Sequence, residues 1–403
     1  MIEKHTSENG LRVILENIPS VRSVTIGVWI LTGSRNETDI NNGISHLIEH
    51  MMFKGTHTRS AQDIAEAFDS IGGQVNAFTS REYTCYYARV IDTHKEHALE
   101  VLSDMFFNST FDEVELEKEK KVVSEEIKMY EDAPDDIVHD LLSKAAYGDH
   151  ALGYPILGTD NHLQSFTRED LFKYKKKYYN PANVVVSVAG NVDADFIKVI
   201  EKQFNQFDNL NEPNQIEKPS FLAQELTRSK DTEQAHLCFG YEGISIKDER
   251  YSSLAVLNNV LGGSVSSRLF QEVREKKGLA YSVFSHHSSY LDTGLLTIYA
   301  GTGNKSLPAL KSTIESTLES LVAKGITDKE LKNSQEQLKG QIMLSLENTS
   351  SRMMRNGRNE LLLGKHRSLD DIVLDINAVD HASIKEMSNE LFLGSKAIAL
   401  VAP

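Results

Sequence analysis

The sequence predicts an α+β fold built from two homologous α/β units, each a mainly antiparallel sheet with helices packed on one face. Strands and helices alternate along the first half, a polar stretch with two prolines lies near the middle, and the second half repeats the order of the first. A length of 403 residues suggests about two or three domains. With 40% hydrophobic and 25% charged residues, the chain has enough apolar material for sizeable cores.

The elements of the first half are predicted from hydrophobic spacing and from β-branched residues. The predicted strands are residues 11–16, 23–31, 74–79 and 83–91. The predicted helices are residues 42–53, 60–71, 95–107 and 116–130. Because the strands are short and partly joined by hairpins, mainly antiparallel sheets are expected, with the helices on one face.

The second half is interpreted as a diverged copy of the first. The predicted elements that match earlier ones are the strands 236–241 and 295–300 and the helix 253–261. The clearest match aligns residues 113–116 with residues 328–331, an offset of 215 residues. The predicted domains are residues 1–210 and 223–403, joined by a linker at 211–222 that contains Pro213 and Pro219. This long repeat argues against a doubly wound nucleotide-binding fold.

Charge and cysteine content exclude several function classes. The formal net charge of −15 makes nucleic acid and anionic membrane surfaces poor partners, and it would favour basic peptides if part of it lines a cavity. Cys85 and Cys238 lie in apolar, strand-like stretches and are expected to be buried free thiols, with a disulfide or a nucleophile as the alternatives. So few cysteines fit a reducing compartment. No signal peptide and no transmembrane run is recognised, so a bacterial-type cytoplasmic location is expected.

The segment His46-Leu47-Ile48-Glu49-His50 carries the strongest chemical signal. On a helix, residues three and four positions apart share a face, so His46, Glu49 and His50 point the same way. Two imidazoles one turn apart can hold a metal ion, and the carboxylate between them can act as a general base on water. A chance match is the alternative, and a metal site of this kind needs a third protein ligand.

The predicted helix 116–130 offers that ligand. Leu116 and Val123 repeat at seven-residue spacing, and Glu119 and Glu126 fall on the same predicted buried face. A buried carboxylate is costly unless it is paired or binds a metal. Glu126 is therefore a candidate ligand and Glu119 a candidate partner of a ligand, with salt bridges to lysine as the alternative for either one.

Residues 46–56 resemble the inverted zinc motif of the pitrilysin family, the inverzincins. In that family the third ligand is a glutamate about 76 residues after the second histidine, which corresponds to Glu126, and a further acid seven residues earlier corresponds to Glu119. The resemblance implies one Zn²⁺ per chain, since the second copy lacks these residue types. In length and in its single pair of repeats, the chain resembles the subfamily of the mitochondrial processing peptidase catalytic subunit and its bacterial relatives.

Two further segments resemble the same family. Residues 72–79 are similar to an edge strand that holds substrate as an added β-strand, which implies substrate contacts by Asn76 and Ala77. Residues 266–281 are similar to a segment whose arginine and tyrosine reach the scissile carbonyl, which implies that role for Arg274 and Tyr281. Without the resemblance, the alternatives are a plain hairpin strand for the first segment and ordinary surface and core residues for the second.

The resemblance implies a zinc endopeptidase that hydrolyses peptides or unfolded polypeptide segments inside a chamber, with Glu49 as general base. The family's clam-like chamber contains four such α/β units, and this chain supplies two. A homodimer is therefore expected, in which Arg274 and Tyr281 act in trans on the zinc site of the partner chain. The alternatives are a catalytically inactive scaffold subunit of the same fold and, in a different class, a zinc storage or sensing protein.

Overall fold

A computed structural model describes residues 2–207 and 213–403, and within them the chain forms eleven strands in two sheets and fourteen α-helices. The α-helices in chain order are α1 (Ile44–Met51), α2 (Ala61–Asp69), α3 (Lys95–Asn108), α4 (Glu113–Asp132), α5 (Pro134–Tyr147), α6 (Asp160–Ser165), α7 (Arg168–Tyr178), α8 (Phe196–Gln203), α9 (Tyr251–Leu261), α10 (Leu307–Lys324), α11 (Asp328–Ser345), α12 (Thr349–Leu363), α13 (Leu369–Ala378) and α14 (His381–Phe392). They belong to two compact units, each with its own sheet.

The first sheet belongs to the first unit and is mainly antiparallel, as predicted. Its strands are β1 (Ile2–Thr6), β2 (Arg12–Asn17), β3 (Ser23–Ile30), β4 (Gln74–Thr79), β5 (Thr84–Ile91) and β6 (Val184–Gly190). They lie in the order β1-β2-β6-β3-β5-β4, and β2 and β6 form a parallel pair. The strand β4 therefore lies at an edge of the sheet, hydrogen-bonded to β5.

One face of the first sheet carries the main core of its unit. Side chains of β2, β3, β5 and β6 pack there against α1, α3, α7 and α8. Because successive residues of a strand point to opposite faces, Val28 enters this core while its neighbour Trp29 faces the other side. Both faces of the sheet are thus apolar.

The other face of the first sheet is covered by α12. Met353 and Leu361 pack there with Ile14 and Trp29. The indole Nε1 of Trp29 donates to Met353 Sδ at 3.3 Å, and a Cβ at Gly357 would lie 2.2 Å from the same nitrogen, so the close approach requires glycine. The sequence predicts helices on one face; the structure adds this helix on the opposite one.

The second sheet repeats the strand order of the first. Its strands are β7 (Glu225–Ser229), β8 (Ala235–Gly243), β9 (Ser282–Ser289), β10 (Gly294–Thr302) and β11 (Lys396–Ala402). The order β7-β11-β8-β10-β9, with β7 and β11 parallel, matches that of the first sheet without β1. The second unit has a main core on one face and α5 on the other, which supports the duplication that the sequence indicates.

The compact units differ from a simple division of the chain into halves. The first comprises residues up to Lys128, Tyr154–Glu217 and Ser345–His366, and the remainder forms the second. The segment that contains α5 therefore belongs to the second unit, although it lies in the predicted first domain. The segment that contains α12 belongs to the first unit, although it lies in the predicted second domain. The end of the predicted first domain (208–210) and the start of the predicted linker (211–212) lie outside the described residues, and residues 213–224 belong to no helix or strand.

The elements predicted for both halves are found with ends that differ by three residues or fewer. Cys85 and Cys238 are free and buried, as predicted. Among the helices of residues 2–207 and 213–403, none combines the length and the hydropathy of a membrane span.

Candidate metal centre

The orientation of α1 is set by its apolar residues. Ile44, Leu47, Ile48 and Met51 are buried in the core of the first unit. The helix starts after Gly43, whose φ of +97° lies in the left-handed region that favours glycine. The remaining face carries the two histidines and the glutamate of the motif.

The structure brings together the three predicted metal ligands. His46 Nε2 and His50 Nε2 lie 3.2 Å apart, and the Glu126 carboxylate oxygens lie 3.7 Å and 3.5 Å from these two nitrogens. One ligand atom from each residue lies within 4.8 Å of the other two. Among residues 2–207 and 213–403, this is the one group of histidine, cysteine, aspartate or glutamate side chains that converges in this way.

The spacing and chemistry of these atoms fit a zinc ion. In tetrahedral zinc sites with bonds of about 2.0–2.1 Å, ligand atoms are about 3.3 Å apart, close to the spacings here. Burial and the neighbouring His50 lower the pKa of His46 to about 3, which leaves a neutral ring with a free lone pair. Two imidazoles and one carboxylate are also the protein ligands of catalytic zinc sites that keep an open position. Glu126 departs from the predicted burial: 44% of its side chain is exposed.

Glu119 contacts a histidine of this group. Its Oε1 accepts a hydrogen bond from His50 Nδ1 at 2.9 Å, and its Oε2 accepts one from Lys54 Nζ at 2.7 Å. Burial alone raises the pKa of Glu119, but the hydrogen bonds from His50 and Lys54 outweigh it and hold the pKa below its usual range. The ionised carboxylate fixes the His50 proton on Nδ1 and leaves Nε2 free for a metal. The lysine salt bridge considered for Glu119 is therefore also present.

Glu49 lies beside this group at the wall of a cavity. Burial raises its pKa, and a hydrogen bond from Thr79 Oγ1 to Glu49 Oε2, 2.5 Å long, opposes the rise. The cavity has a volume of about 410 Å³ and an apolar part formed by Phe53, Ile64 and Val75. A partly buried carboxylate next to a metal site and a cavity is suitably placed to accept a proton.

The predicted substrate contacts lie on the edge strand β4. Ala77 packs toward the core, and Asn76 lies on the opposite face of the strand. The Asn76 side-chain oxygen accepts the backbone N–H of Ala77 at 2.8 Å. The edge position of the strand is thus confirmed, whereas substrate contact stays a prediction.

Arg274 and Tyr281 belong to the second unit, where they lie next to each other. The Arg274 guanidinium lies 4.7 Å from the ring centre of Tyr281 and 4.7 Å from that of Phe270. Tyr281 is 78% exposed, which excludes the alternative of an ordinary core residue. Stacking between two rings holds the guanidinium in place, but the predicted role of the pair at a zinc site stays a prediction.

Glu37 is a residue of the site that the sequence analysis missed. Its buried carboxylate accepts the backbone N–H groups of Gly43 at 2.8 Å and Ser45 at 2.9 Å, and the side-chain amide of Asn42 at 2.9 Å. It therefore caps the first turn of α1 from outside the helix. The sequence indicates such a residue only indirectly. A helix that starts after glycine has no side-chain cap of its own, so another residue must accept its first N–H groups.

Replacing Glu37 by glutamine should lower the free energy of unfolding by about 1–3 kcal/mol. Glutamine turns one acceptor into an N–H₂ group that faces backbone donors. Chemical denaturation would measure the loss, with Asp39→Asn, an exposed carboxylate in the same loop, as the control. Equal stability of the two variants would contradict this role of Glu37.

Two family models match this chain. Residues 12–160 match the model described as insulinase, peptidase family M16, and residues 165–338 match the model described as the peptidase M16 inactive domain. The label of the second model agrees with the loss of ligand residue types in the second half of the sequence.

Similar proteins and solved structures cover the whole chain. A Bacillus subtilis protein named as the zinc protease YmxG is 61% identical over 403 residues, spanning 100% of this chain and 98% of its own. A zinc protease of Streptomyces coelicolor is 39% identical over 411 residues, spanning 100% and 90%. The crystal structure of a Helicobacter pylori protease has a TM-score of 0.93 and 26% identity, covering 100% and 99%.

A Pseudomonas fluorescens structure described as a peptidase M16 inactive domain has a TM-score of 0.94 and covers 100% of this chain and 98% of its own. At 19% identity, this likeness supports the fold alone.

Both halves of the sequence thus match models of one family, and a relative aligned along the full length shares most of its residues. It follows that the chain belongs to peptidase family M16, the pitrilysin family of zinc metallopeptidases.

Proposed function

We propose that the chain is a zinc-dependent endopeptidase that hydrolyses peptides or unfolded polypeptide segments. The observation that carries the proposal is the convergence of His46, His50 and Glu126 beside Glu49, next to the edge strand β4. The relatives from Bacillus subtilis and Streptomyces coelicolor are named zinc proteases, which supports the same class of activity.

His46, His50 and Glu126 would hold the metal. A bound zinc ion supplies a Lewis acid, which lowers the pKa of water and polarises a peptide carbonyl. Glu119 keeps His50 in the tautomer whose Nε2 can bind, and the buried ring of His46 is neutral near pH 7. His46 is thus in the form that binds a metal. Burial disfavours the charged form of His50, but the hydrogen bond to Glu119 and the nearby carboxylates outweigh it and raise the pKa of His50, so a metal there competes with a proton.

Glu49 is the proposed general base. Its Oε2 is engaged by Thr79, which leaves Oε1 to take a proton from the attacking water. Glu49 can then pass this proton to the leaving amine. One carboxylate would thus assist both the attack of water and the departure of the amine.

The strand β4 is the proposed substrate-holding element. An extended peptide can add to an exposed sheet edge through main-chain hydrogen bonds, which makes few demands on substrate sequence. Asn76 and Ala77 would contact the peptide there, after the Asn76 side chain releases the Ala77 N–H. The neighbouring cavity, with Phe53 and Ile64 in its wall, would take an apolar side chain of the substrate.

Arg274 and Tyr281 are proposed to stabilise the developing oxyanion as hydrogen-bond donors. Because one chain supplies two of the four units that the family resemblance implies for a chamber, we propose a homodimer in which this pair serves the zinc site of the partner chain. If part of the net charge of −15 lines the chamber, basic peptides would be favoured as substrates.

Chelation tests the metal dependence of the proposed activity. A mixed peptide library incubated with the purified chain should yield cleavage products by mass spectrometry. A chelator should abolish them, and about one equivalent of zinc should restore them. Magnesium serves as a control and should fail, because it prefers oxygen ligands.

The alternatives predict a different outcome of the same experiment. A catalytically inactive scaffold subunit would cleave no peptide in the library, and a zinc storage or sensing protein would retain zinc without cleavage. Neither alternative gives a use to Glu49 or to the open strand edge. Bound zinc without any product would therefore contradict the proposed function.

A further inference from the structure

Thr79 joins the edge strand β4 to the proposed general base. It is the last residue of β4, and its hydroxyl donates to Glu49 Oε2 at 2.5 Å. Within the described residues, this is the one hydrogen bond made by the Glu49 carboxylate. We propose that Thr79 is a positioning residue that aims Glu49 from the strand that holds the substrate, an inference that rests on the proposed function.

The strand geometry holds the Thr79 side chain on the face of α1. Val75 and Ala77 pack against the core on that face, and alternation along the strand places Thr79 there as well. Thr79 is paired with Thr84 of β5, and the turn that follows is closed by a hydrogen bond from Ser80 N–H to the Tyr83 carbonyl at 2.8 Å. The backbone under the hydroxyl is therefore fixed on both sides.

A glutamate side chain needs such a partner to present a defined oxygen. Its terminal torsion is broad, so an unbonded carboxylate would rotate. Threonine is β-branched and has few rotamers. Its hydroxyl therefore has a defined position and holds Oε2 there through the hydrogen bond. The other oxygen, Oε1, is then directed away from Thr79 and is available to the water.

The same strand thus has two roles in the proposed reaction. A peptide that pairs with the outer edge of β4 would restrain its backbone, and Thr79 would transmit this restraint to Glu49 through one hydrogen bond. Substrate occupancy and alignment of the base are coupled by this contact. Removing the hydroxyl should affect the chemical step more than binding.

The matched experiment compares Thr79→Val with Thr84→Val. Both remove a hydroxyl from directly paired residues, but the Thr84 hydroxyl donates to the Thr32 carbonyl at 2.9 Å. In the zinc-loaded protein, Thr79→Val should lower kcat by about 10–100-fold with KM changed by about twofold or less. Thr84→Val should keep kcat near the wild-type value, and Thr79→Ser, which keeps the hydroxyl, should retain most of it.

Zinc content and thermal unfolding, measured on each variant, show that the comparison is made on folded, metal-loaded protein. If Thr79→Val fails to fold, Thr79→Ala removes the same hydroxyl without the added methyl group. Equal losses of kcat in the variants at 79 and 84, or a rise in KM at unchanged kcat, overturn the role of Thr79. A wild-type chain that cleaves no peptide overturns the proposed function itself, and this role with it.

Discussion

Replacing Glu49 by glutamine is expected to lower the rate of peptide cleavage by about 10²–10⁴-fold, with zinc content unchanged. Glutamine has nearly the same shape and can still accept the Thr79 hydrogen bond, but its amide cannot take a proton from water. The ligand atoms of His46, His50 and Glu126 are not altered. The loss should therefore appear in kcat, with KM nearly constant.

Steady-state kinetics on one peptide from the library, together with elemental analysis for zinc, would measure both quantities. Glu66→Gln on α2 is the control, because the same substitution there affects an exposed side chain. Near-wild-type turnover of the Glu49 variant would remove Glu49 from the mechanism. Loss of zinc together with activity would instead assign Glu49 to holding the metal.

An equal mixture of Glu49→Gln chains with chains carrying Arg274→Ala and Tyr281→Ala is expected to recover about a quarter of the wild-type activity. Each variant alone should be nearly inactive. If sites are shared in trans, random exchange makes about half of the dimers mixed, and each mixed dimer has one complete site of two.

The control is a mixture of Glu49→Gln chains with chains that carry all three substitutions, because no combination of these chains forms a complete site. Sedimentation of differently tagged chains would show that mixed dimers form. Mixed dimers without recovered activity would show that Arg274 and Tyr281 do not serve the partner's zinc site.

The sequence was most informative where the relevant geometry is local. The spacing of His46, Glu49 and His50 fixes one helix face, and that face is intact in the structure. Seven-residue spacing and the family motif both predict Glu126 as the third ligand, and the structure places it beside the two histidines. The repeated strand order was also predictable, because each copy keeps its own hydrophobic pattern.

Contacts between distant segments were not predictable in this way. Thr79 and Glu49 meet across a strand and a helix, and Glu37 caps α1 from a preceding loop. Neither contact leaves a periodic pattern in the chain. The seven-residue spacing also predicts more burial for Glu126 than the structure shows. Such spacing indicates which side of α4 faces the core, but it does not indicate how far along the helix the core extends.

The placement of α12 has a consequence for the order of events during biosynthesis. This helix covers the Trp29 face of the first sheet, yet it follows the last strand of that sheet, β6, by about 160 residues. At about 5–20 residues per second, the ribosome needs about 10–30 s to make the intervening chain. During that interval the nascent sheet has an uncovered apolar surface. Assembly of the first unit is therefore completed late in translation, and the newly made chain is a candidate client for chaperones that bind exposed apolar segments.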